Sequence, residues 1–311
     1  GRGAAAGPAA CMVRPARSPV AASVPAAAPL APADSQARSA RSAGAEQSWP
    51  PAPEGGAFEE APPELAVCTP NLAHFPPELW RFPLSMRSAF HFLASMDIPS
   101  PDWGCEGPAL LQGPPPGEKR LTVVLDLDET LVHCRLERQA SRRHSFCVRF
   151  EETQAIGFVY VRPFARLFLE IAARLFEVVT FTASSQTYAD QVLDELDPHG
   201  RCISERLYRQ HCTEVGGGFL KDMRRLGRSL DRIVLVDNSP VSLMLCPDNG
   251  VIVSSWMAET DGDRELMDLI LLLQQCSQHS SSREFLRQRY GIRAFLDHLR
   301  ARPELLGFEA R

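Results

Sequence analysis

The chain has 311 residues, of which 44% are hydrophobic and 23% are charged, which is enough to form one substantial globular domain or two. Its formal net charge of −5 offers no bulk attraction to nucleic acid or to an anionic membrane, so we expect no direct nucleic-acid partner. No apolar run approaches the roughly 20 residues that cross a bilayer, and no transmembrane segment is expected. The nine cysteines include no C-x-x-C pair, which indicates reduced thiols in a reducing compartment.

The two ends of the chain differ in composition from its centre. Residues 1–55 are rich in Ala, Pro, Ser and Arg, and their first acidic residue is Asp34, which predicts a disordered tail. An organelle transit peptide is the alternative interpretation, although the prolines disfavour the amphipathic helix of such a peptide. Residues 56–118 are interpreted as a Pro-rich linker in which Leu84–Met96 has the apolar spacing of one short helix. Residues 303–311 are interpreted as a second tail.

Between residues 119 and 302 the pattern becomes regular and predicts a single domain. Strand-like apolar runs occur at Leu121–Leu125, Val178–Phe181, Ile233–Val236 and Val251–Ser254. Helical patterns occur at Pro163–Leu175, Ser185–Leu196, Lys221–Leu226, Asp263–Gln275 and Arg283–Tyr290. Strands that alternate with helices are typical of an α/β domain with a mainly parallel central sheet flanked by helices. Ser145–Phe150 and Gly157–Val161 interrupt this order and predict a small β-hairpin inserted after the first strand.

Polar side chains follow three of the predicted strands at the sheet edge where open α/β folds bind their ligands. They are Asp126 and Asp128 after the first strand, Thr182 and Ser184 after the second, and Asp237 and Asn238 after the third, with Lys221 just before the third strand. Taken singly, each has a structural explanation as a helix cap, a turn residue or a solvated charge. Taken together, they combine carboxylates with a cation and hydroxyl donors, which suits an anionic substrate. Neighbouring carboxylates are costly to bury unless a cation neutralises them, and Mg²⁺ prefers such oxygen ligands.

The motifs that contain these residues resemble those of the haloacid dehalogenase superfamily. The segment from Leu125 to His133 (LDLDETLVH) is similar to the signature of the small carboxy-terminal-domain phosphatases and their Dullard-like relatives. So are FTAS from Phe181, KDMRRLGR from Lys221 and VDNSP from Val236. The resemblance implies a Rossmann-like fold with a small β insertion. It also implies a Mg²⁺-dependent protein serine/threonine phosphatase, with the RNA polymerase II C-terminal domain as the family's default substrate.

The resemblance also implies a role for each residue. Asp126 corresponds to the nucleophile and a metal ligand, and Asp128 to the general acid and base, which also offers its backbone carbonyl to the metal. The remaining positions are the metal ligand Asn238 with Asp237 in support, the phosphate-binding residues Thr182 and Lys221, and possible substrate contacts at Tyr188 and Arg209.

Two alternatives to this function follow from the same residues. One is a catalytically idle binding module of the same fold, similar to mitochondrial import receptors, which a transit peptide would suit but the intact carboxylates and lysine do not. The other is a small-molecule phosphatase. The short hairpin leaves no room for a large cap, and an open site suits a phosphoserine or phosphothreonine protein better than a metabolite. We expect a nuclear or cytosolic protein, or an organellar one if the tail is a transit peptide.

Overall fold

The structure is a computed structural model that describes residues 108–111, 120–139, 143–215, 218–259 and 261–302. The predicted tails at 1–55 and 303–311 and the predicted helix at Leu84–Met96 lie outside these residues. No helix in the described ranges is both long and apolar enough to span a membrane. The short described part of the predicted linker packs on the domain, since Leu111 is buried and the Leu110 N–H donates to the Arg225 carbonyl at 2.8 Å.

The centre of the domain is a five-stranded sheet in which every pair of neighbouring strands is parallel. Across the sheet the strands are β10 (Gly250–Ile252), β9 (Ile233–Asp237), β1 (Thr122–Leu125), β5 (Glu177–Phe181) and β6 (Glu205–Leu207). The predicted α/β fold with a mainly parallel sheet is therefore confirmed. Strand β6 was not predicted, because its sequence Glu-Arg-Leu contains no apolar run.

Strand alternation divides the core into two layers, one on each face of the sheet. Val123 and Leu125 of β1 pack into the layer that contains Phe168 and Leu273, whereas Val124 packs into the opposite layer. Because β1 lies in the middle of the sheet, all four of its side chains are almost inaccessible to solvent. A parallel strand covered on both faces requires the nearly continuous apolar run that the sequence shows here.

Helices cover both faces of the sheet. They are α1 (Ala165–Leu175), α2 (Gln186–Leu196), α3 (Glu265–Gln278), α4 (Ser282–Tyr290) and α5 (Ile292–Ala301), of which α5 was not predicted. The short helical segment predicted at Lys221–Leu226 is present as a 3₁₀ turn over Met223–Leu226. The Asp222 side chain caps its start, and Gly227, with φ 67°, ends it. Lys221 precedes this turn and lies directly after a strand.

Two small antiparallel sheets are attached to the domain. The first contains β2 (Val132–Arg135), β4 (Ile156–Val161) and β3 (Phe146–Arg149) in that order, so the predicted hairpin is present but has a third strand. Strand β2 was missed although Val-His-Cys-Arg alternates between apolar and polar residues, because a run of only four residues is a weak strand pattern. The second is a hairpin of β7 (Thr213–Val215) and β8 (Gly218–Leu220), which leads straight into Lys221.

The cysteines agree with the predicted reduced state at five of the six described positions. Cys134, Cys202, Cys212, Cys246 and Cys276 are free, and burial raises the pKa of every one of these thiols. Cys147 is the exception, since it is disulfide-bonded. The prediction of reduced thiols is therefore wrong at Cys147.

Candidate active site

A tight turn after β1 brings Asp126 and Asp128 to the same edge of the sheet. The N–H of Leu131 donates to the Leu127 carbonyl at 2.9 Å, and Glu129 adopts the left-handed region with φ 58°. This conformation is uncommon for a residue with a side chain, and here it lets the chain reverse immediately into β2. The Glu129 carboxylate in turn contacts Nδ1 of the buried His133 at 3.0 Å.

Lys221 links the ends of β1 and β9. Its Nζ donates to Asp126 Oδ1 and to Asp237 Oδ2, at 2.6 Å in each case. Only 1% of Lys221 is accessible to solvent, so this ammonium group lies in the interior with its two carboxylates. Burial alone would lower the pKa of Lys221, but Asp126 and Asp237 outweigh it and hold that pKa above its ordinary value. The lysine therefore stays positively charged.

The carboxylates of this edge outnumber the cations that contact them. Lys221 is the only cationic side chain among the described hydrogen-bond partners of Asp126, Asp128 and Asp237. Burial raises the pKa of Asp126 to about 7, against the attraction of Lys221 and with repulsion from Asp237 and Asp128. Excess buried negative charge of this kind favours a bound cation, which would restore ionisation of both aspartates.

The amide of Asn238 is oriented toward Asp126. Its Nδ2 donates to the Ser255 hydroxyl at 2.9 Å, which leaves Oδ1 on the side of the Thr130 hydroxyl at 3.4 Å. The same Thr130 hydroxyl donates to Asp126 Oδ2 at 3.0 Å. A carboxylate oxygen and an amide oxygen thus lie within hydrogen-bonding distance of one hydroxyl, and both are ligand types that suit Mg²⁺.

The predicted ligand set for a divalent cation consists of a carboxylate oxygen of Asp126, the backbone carbonyl of Asp128 and the amide oxygen of Asn238. The first and the last of these are the two oxygens that lie beside the Thr130 hydroxyl. Within the described ranges, no group of three or more His, Cys, Asp and Glu residues is arranged to hold a metal. A site built from mixed oxygen types is compatible with that finding, because only one of its ligands is a carboxylate.

Asp128 is held by two hydroxyl groups from the start of α2. Ser184 Oγ donates to Asp128 Oδ2 at 2.6 Å, and the Tyr188 hydroxyl donates to Asp128 Oδ1 at 2.5 Å. The Tyr188 ring stacks on Phe150 of the insertion, with centroids 5.5 Å apart, which fixes the direction of its hydroxyl. Burial raises the pKa of Asp128 to about 6, and Glu129 adds to this effect. Both hydroxyl bonds act in the opposite direction.

Thr182 and Arg209 occupy neighbouring positions on the other side of β1. Thr182 is buried, and its Oγ1 accepts from the Ser184 N–H at 3.0 Å, which leaves its own hydroxyl proton to be donated elsewhere. Arg209 is exposed, donates from Nε to the Ala183 carbonyl at 2.5 Å and lies over the Phe219 ring at 5.1 Å. Of the predicted residues, Arg209 is therefore the one most open to solvent.

The structure brings the predicted residues together in two adjacent groups. Lys221 joins Asp126 and Asp237, with Asn238 beside them, and Tyr188 contacts Asp128. Sequence reasoning overlooked the contacts of Thr130 and Ser255, which orient Asp126 and Asn238. Thr130 could have been found as the last residue of Asp-x-Asp-x-Thr, whereas Ser255 follows an unremarkable strand and carries no local signal.

Residues 121–283 match the model of the NLI interacting factor-like phosphatase family. This match covers just over half of the 311 residues and includes every residue of the site described above. The matched residues also contain the whole central sheet and the β insertion.

Curated relatives carry phosphatase names. A probable C-terminal domain small phosphatase of Dictyostelium discoideum is 46% identical over 49% of this chain and 49% of its own length. The human carboxy-terminal domain RNA polymerase II polypeptide A small phosphatase 1 is 41% identical over 54% of this chain and 64% of its own. CTD small phosphatase-like protein 3 of Caenorhabditis elegans is 38% identical over 57% and 61%. The chain thus spans less than two thirds of the length of each of these relatives.

Proposed function

Because the chain belongs to the NLI interacting factor-like phosphatase family, we propose that it is a Mg²⁺-dependent protein serine/threonine phosphatase that works through an aspartyl-phosphate. The observation that carries the proposal is the buried contact of Lys221 with Asp126 and Asp237 at the carboxyl edge of the sheet. This contact supports the proposal because it joins a carboxylate and an ammonium group in the interior, where electrostatic interactions are stronger than in water.

Asp126 is the proposed nucleophile. One of its carboxylate oxygens attacks the phosphorus atom of a phosphomonoester, and the bond from phosphorus to the serine or threonine oxygen breaks. The product is a phosphoryl group on Asp126, which divides one difficult hydrolysis into two easier steps. The hydrogen bonds from Lys221 and Thr130 support this role because they fix the direction of the carboxylate before the substrate arrives.

Asp128 is the proposed general acid and then the general base. In the first step it gives its proton to the departing serine or threonine oxygen. In the second step it takes a proton from the water that attacks the phosphorus atom, and the bond from phosphorus to Asp126 breaks. Its pKa of about 6, raised by burial, supports both roles because it lies close to neutral pH. The hydroxyl groups of Ser184 and Tyr188 position it for both transfers.

The remaining residues are proposed to hold the phosphoryl group and the cation. Lys221 and the Thr182 hydroxyl bind the phosphoryl oxygens, which carry about two negative charges in a phosphomonoester and would otherwise repel Asp126. The Asp126 carboxylate, the Asp128 carbonyl and Asn238 are the proposed Mg²⁺ ligands, with Asp237 in support. A bound Mg²⁺ would offset the charge of the phosphoryl oxygens in both steps.

The proposed substrate is a phosphoserine or phosphothreonine segment of a protein. Among the described residues between Asp128 and Thr182, the chain adds only the small three-stranded sheet next to α1, so a protein segment can approach the edge of the site. The name of the human relative makes the RNA polymerase II C-terminal domain the first candidate substrate. Of the two residues expected to contact the substrate, the exposed Arg209 is the proposed contact, whereas Tyr188 is buried and bonded to Asp128 and is proposed to position that carboxylate.

The first experiment measures phosphate release from a panel of phosphoserine and phosphothreonine peptides, with Mg²⁺ or with EDTA. We expect turnover with Mg²⁺ only, and a loss of at least about 1,000-fold in Asp126→Asn, because no nucleophile replaces the carboxylate. Asp268→Asn is the matched control, since Asp268 is exposed on α3.

Three results would count against this function. Full activity of Asp126→Asn contradicts the proposed nucleophile. No turnover of any peptide or of p-nitrophenyl phosphate, with any divalent cation, points instead to the idle binding module. Faster turnover of phosphorylated metabolites than of any peptide points to a small-molecule phosphatase.

A further inference from the structure

Arg162 is a buried charged residue that has no part in the proposed chemistry. It lies between β4 and α1, and only 1% of its surface is accessible to solvent. A guanidinium has five N–H groups in a planar fork, and each one requires a partner when it is buried. The partners are two carboxylates, those of Asp263 and Glu265, and two backbone carbonyls, those of Thr130 and Ser254.

The contacts with carboxylates lie on one side of the guanidinium. Nε and Nη2 donate to the two oxygens of Asp263 at 3.1 and 2.9 Å, and Nη2 also donates to Glu265 at 2.7 Å. The side chain of Asp263 is 15% exposed and that of Glu265 is 33% exposed, so these anions lie toward the rim of the domain. They compensate the charge of Arg162 at the start of α3.

The contacts with carbonyls connect Arg162 to the candidate cation site. Nη1 donates to the Thr130 carbonyl at 3.1 Å and to the Ser254 carbonyl at 3.2 Å. Thr130 is the residue whose hydroxyl lies between Asp126 and Asn238. Ser254 precedes Ser255, whose hydroxyl accepts from Nδ2 of Asn238.

One nitrogen of Arg162 therefore joins the two backbone segments that orient the oxygens of Asp126 and Asn238. The same two segments meet again where the Trp256 N–H donates to the Glu129 carbonyl at 2.8 Å. The distance between the two segments decides whether both oxygens face a single point. A hard cation with strict geometry requires that they do.

We propose that Arg162 is a positioning residue that sets the cation affinity of the site by holding these two segments together. The inference rests on the proposed Mg²⁺-dependent function and adds a residue to it that touches neither cation nor phosphate. Groups outside the ligand shell that orient ligands commonly change metal affinity by about 10- to 100-fold when they are lost.

Lysine cannot replace arginine in this role. A lysine at position 162 would keep its positive charge and its attraction to Asp263 and Glu265. Its single nitrogen has three donors at one point, so it cannot reach two carboxylates and two separate carbonyls together. Arg162→Lys thus retains the charge and removes the connection between the segments.

The test is the Mg²⁺ dissociation constant of the purified full chain, measured by isothermal titration calorimetry without substrate. We expect Arg162→Lys to raise this constant by about 10-fold or more. We also expect kcat to recover to within a few-fold of the parent value at saturating Mg²⁺, because no group that touches the phosphate has changed. The control is Arg228→Lys, since the side chain of Arg228 is also buried and binds both oxygens of Glu177 at the opposite edge of the sheet. We expect it to lower stability without changing the Mg²⁺ constant.

A second variant applies if Arg162→Lys does not fold. Glu265→Gln removes one anion from the partly exposed side, where Glu265 contacts both Arg162 and the backbone N–H of Ser254. We expect a smaller rise of about 3- to 10-fold in the same constant. An unchanged Mg²⁺ constant in every variant that folds overturns the positioning role while leaving the phosphatase function intact. Absence of Mg²⁺ binding and of Mg²⁺-dependent turnover in the parent protein overturns both.

Discussion

Both ends of the central sheet contain buried charged side chains, but the carboxylates at the two ends differ in the number of cations that they contact. At the amino end, Glu177 of β5 binds Arg228 through both carboxylate oxygens at 2.9 and 3.0 Å and accepts from the Thr122 hydroxyl of β1 at 2.6 Å. At the carboxyl end, a single Lys221 is shared between Asp126 and Asp237, and Asp128 contacts only neutral hydroxyl groups among the described residues.

The pKa values of the two ends differ in direction for this reason. Burial opposes ionisation of Glu177, but the hydrogen bonds from Arg228 and Thr122 outweigh it and hold the pKa of this carboxyl below its ordinary value. At the carboxyl end, the effect of burial is larger than that of the favourable hydrogen bonds, and it raises the pKa of both Asp126 and Asp128. A matched pair stabilises the folded chain, whereas unmatched carboxylates leave an excess of negative charge that favours a bound cation.

The largest effect is expected for Asp128→Asn, which tests whether Asp128, at the carboxyl end of the sheet, transfers protons during the reaction. We expect kcat/KM on a phosphoserine peptide to fall by about 100- to 10,000-fold, since a serine alkoxide is a poor leaving group without a proton. On p-nitrophenyl phosphate the loss in kcat/KM is expected to be much smaller, because nitrophenolate leaves without one. Steady-state kinetics on both substrates measures the ratio, and an equal loss on both would show that Asp128 is not the general acid.

A stability effect of about 2 kcal/mol is expected for Glu177→Gln at pH 7, because the buried Arg228 then faces a neutral amide. Since the folded-state pKa of Glu177 is lowered, its contribution is present above its ordinary pKa and is lost as pH falls through the folded value. The difference from the parent protein should therefore shrink below about pH 4. Urea unfolding at several pH values measures it.

At the carboxyl end of the sheet, the variant to compare with Glu177→Gln is Asp126→Asn, measured in Mg²⁺-free buffer. We expect no fall in the free energy of unfolding, because Lys221 keeps Asp237 as its partner and one crowded carboxylate is gone. Glu177→Gln should leave kcat unchanged per folded molecule, since its contacts lie at the far edge of the sheet. The comparison between the two ends fails if both variants lose stability to the same extent.

The smallest effect is expected for Tyr188→Phe, which removes one of the two hydroxyl bonds to Asp128. We expect kcat to fall by roughly 3- to 10-fold with KM unchanged, as for the loss of one ordinary hydrogen bond, because Ser184 still holds Asp128. Tyr208→Phe is the matched control. The Tyr208 hydroxyl also donates to a carboxylate, at a distance of 2.6 Å, but this carboxylate belongs to Asp190 and not to Asp128. A rise in KM without a change in kcat would instead identify Tyr188 as a substrate contact.

Local patterns in the sequence predicted most of the fold and the members of the site. The apolar runs of β1, β5 and β9 are visible because buried parallel strands need continuous apolar residues. The polar residues that follow them are visible because ligands bind at that edge. Strands β2 and β6 were missed because they have only four and three residues, too few for a clear pattern, and because pairing with neighbouring strands makes them strands.

The sequence by itself determined which residues end each strand and therefore which functional groups reach the carboxyl edge of the sheet. Only the tertiary structure decided how those groups are paired. Lys221 is 95 residues from Asp126 along the chain, and Arg162 is 101 residues from Asp263, so no local pattern reveals either contact. Burial and hydrogen bonding depend on the packed surroundings of a group, and those surroundings exist only after distant segments have come together.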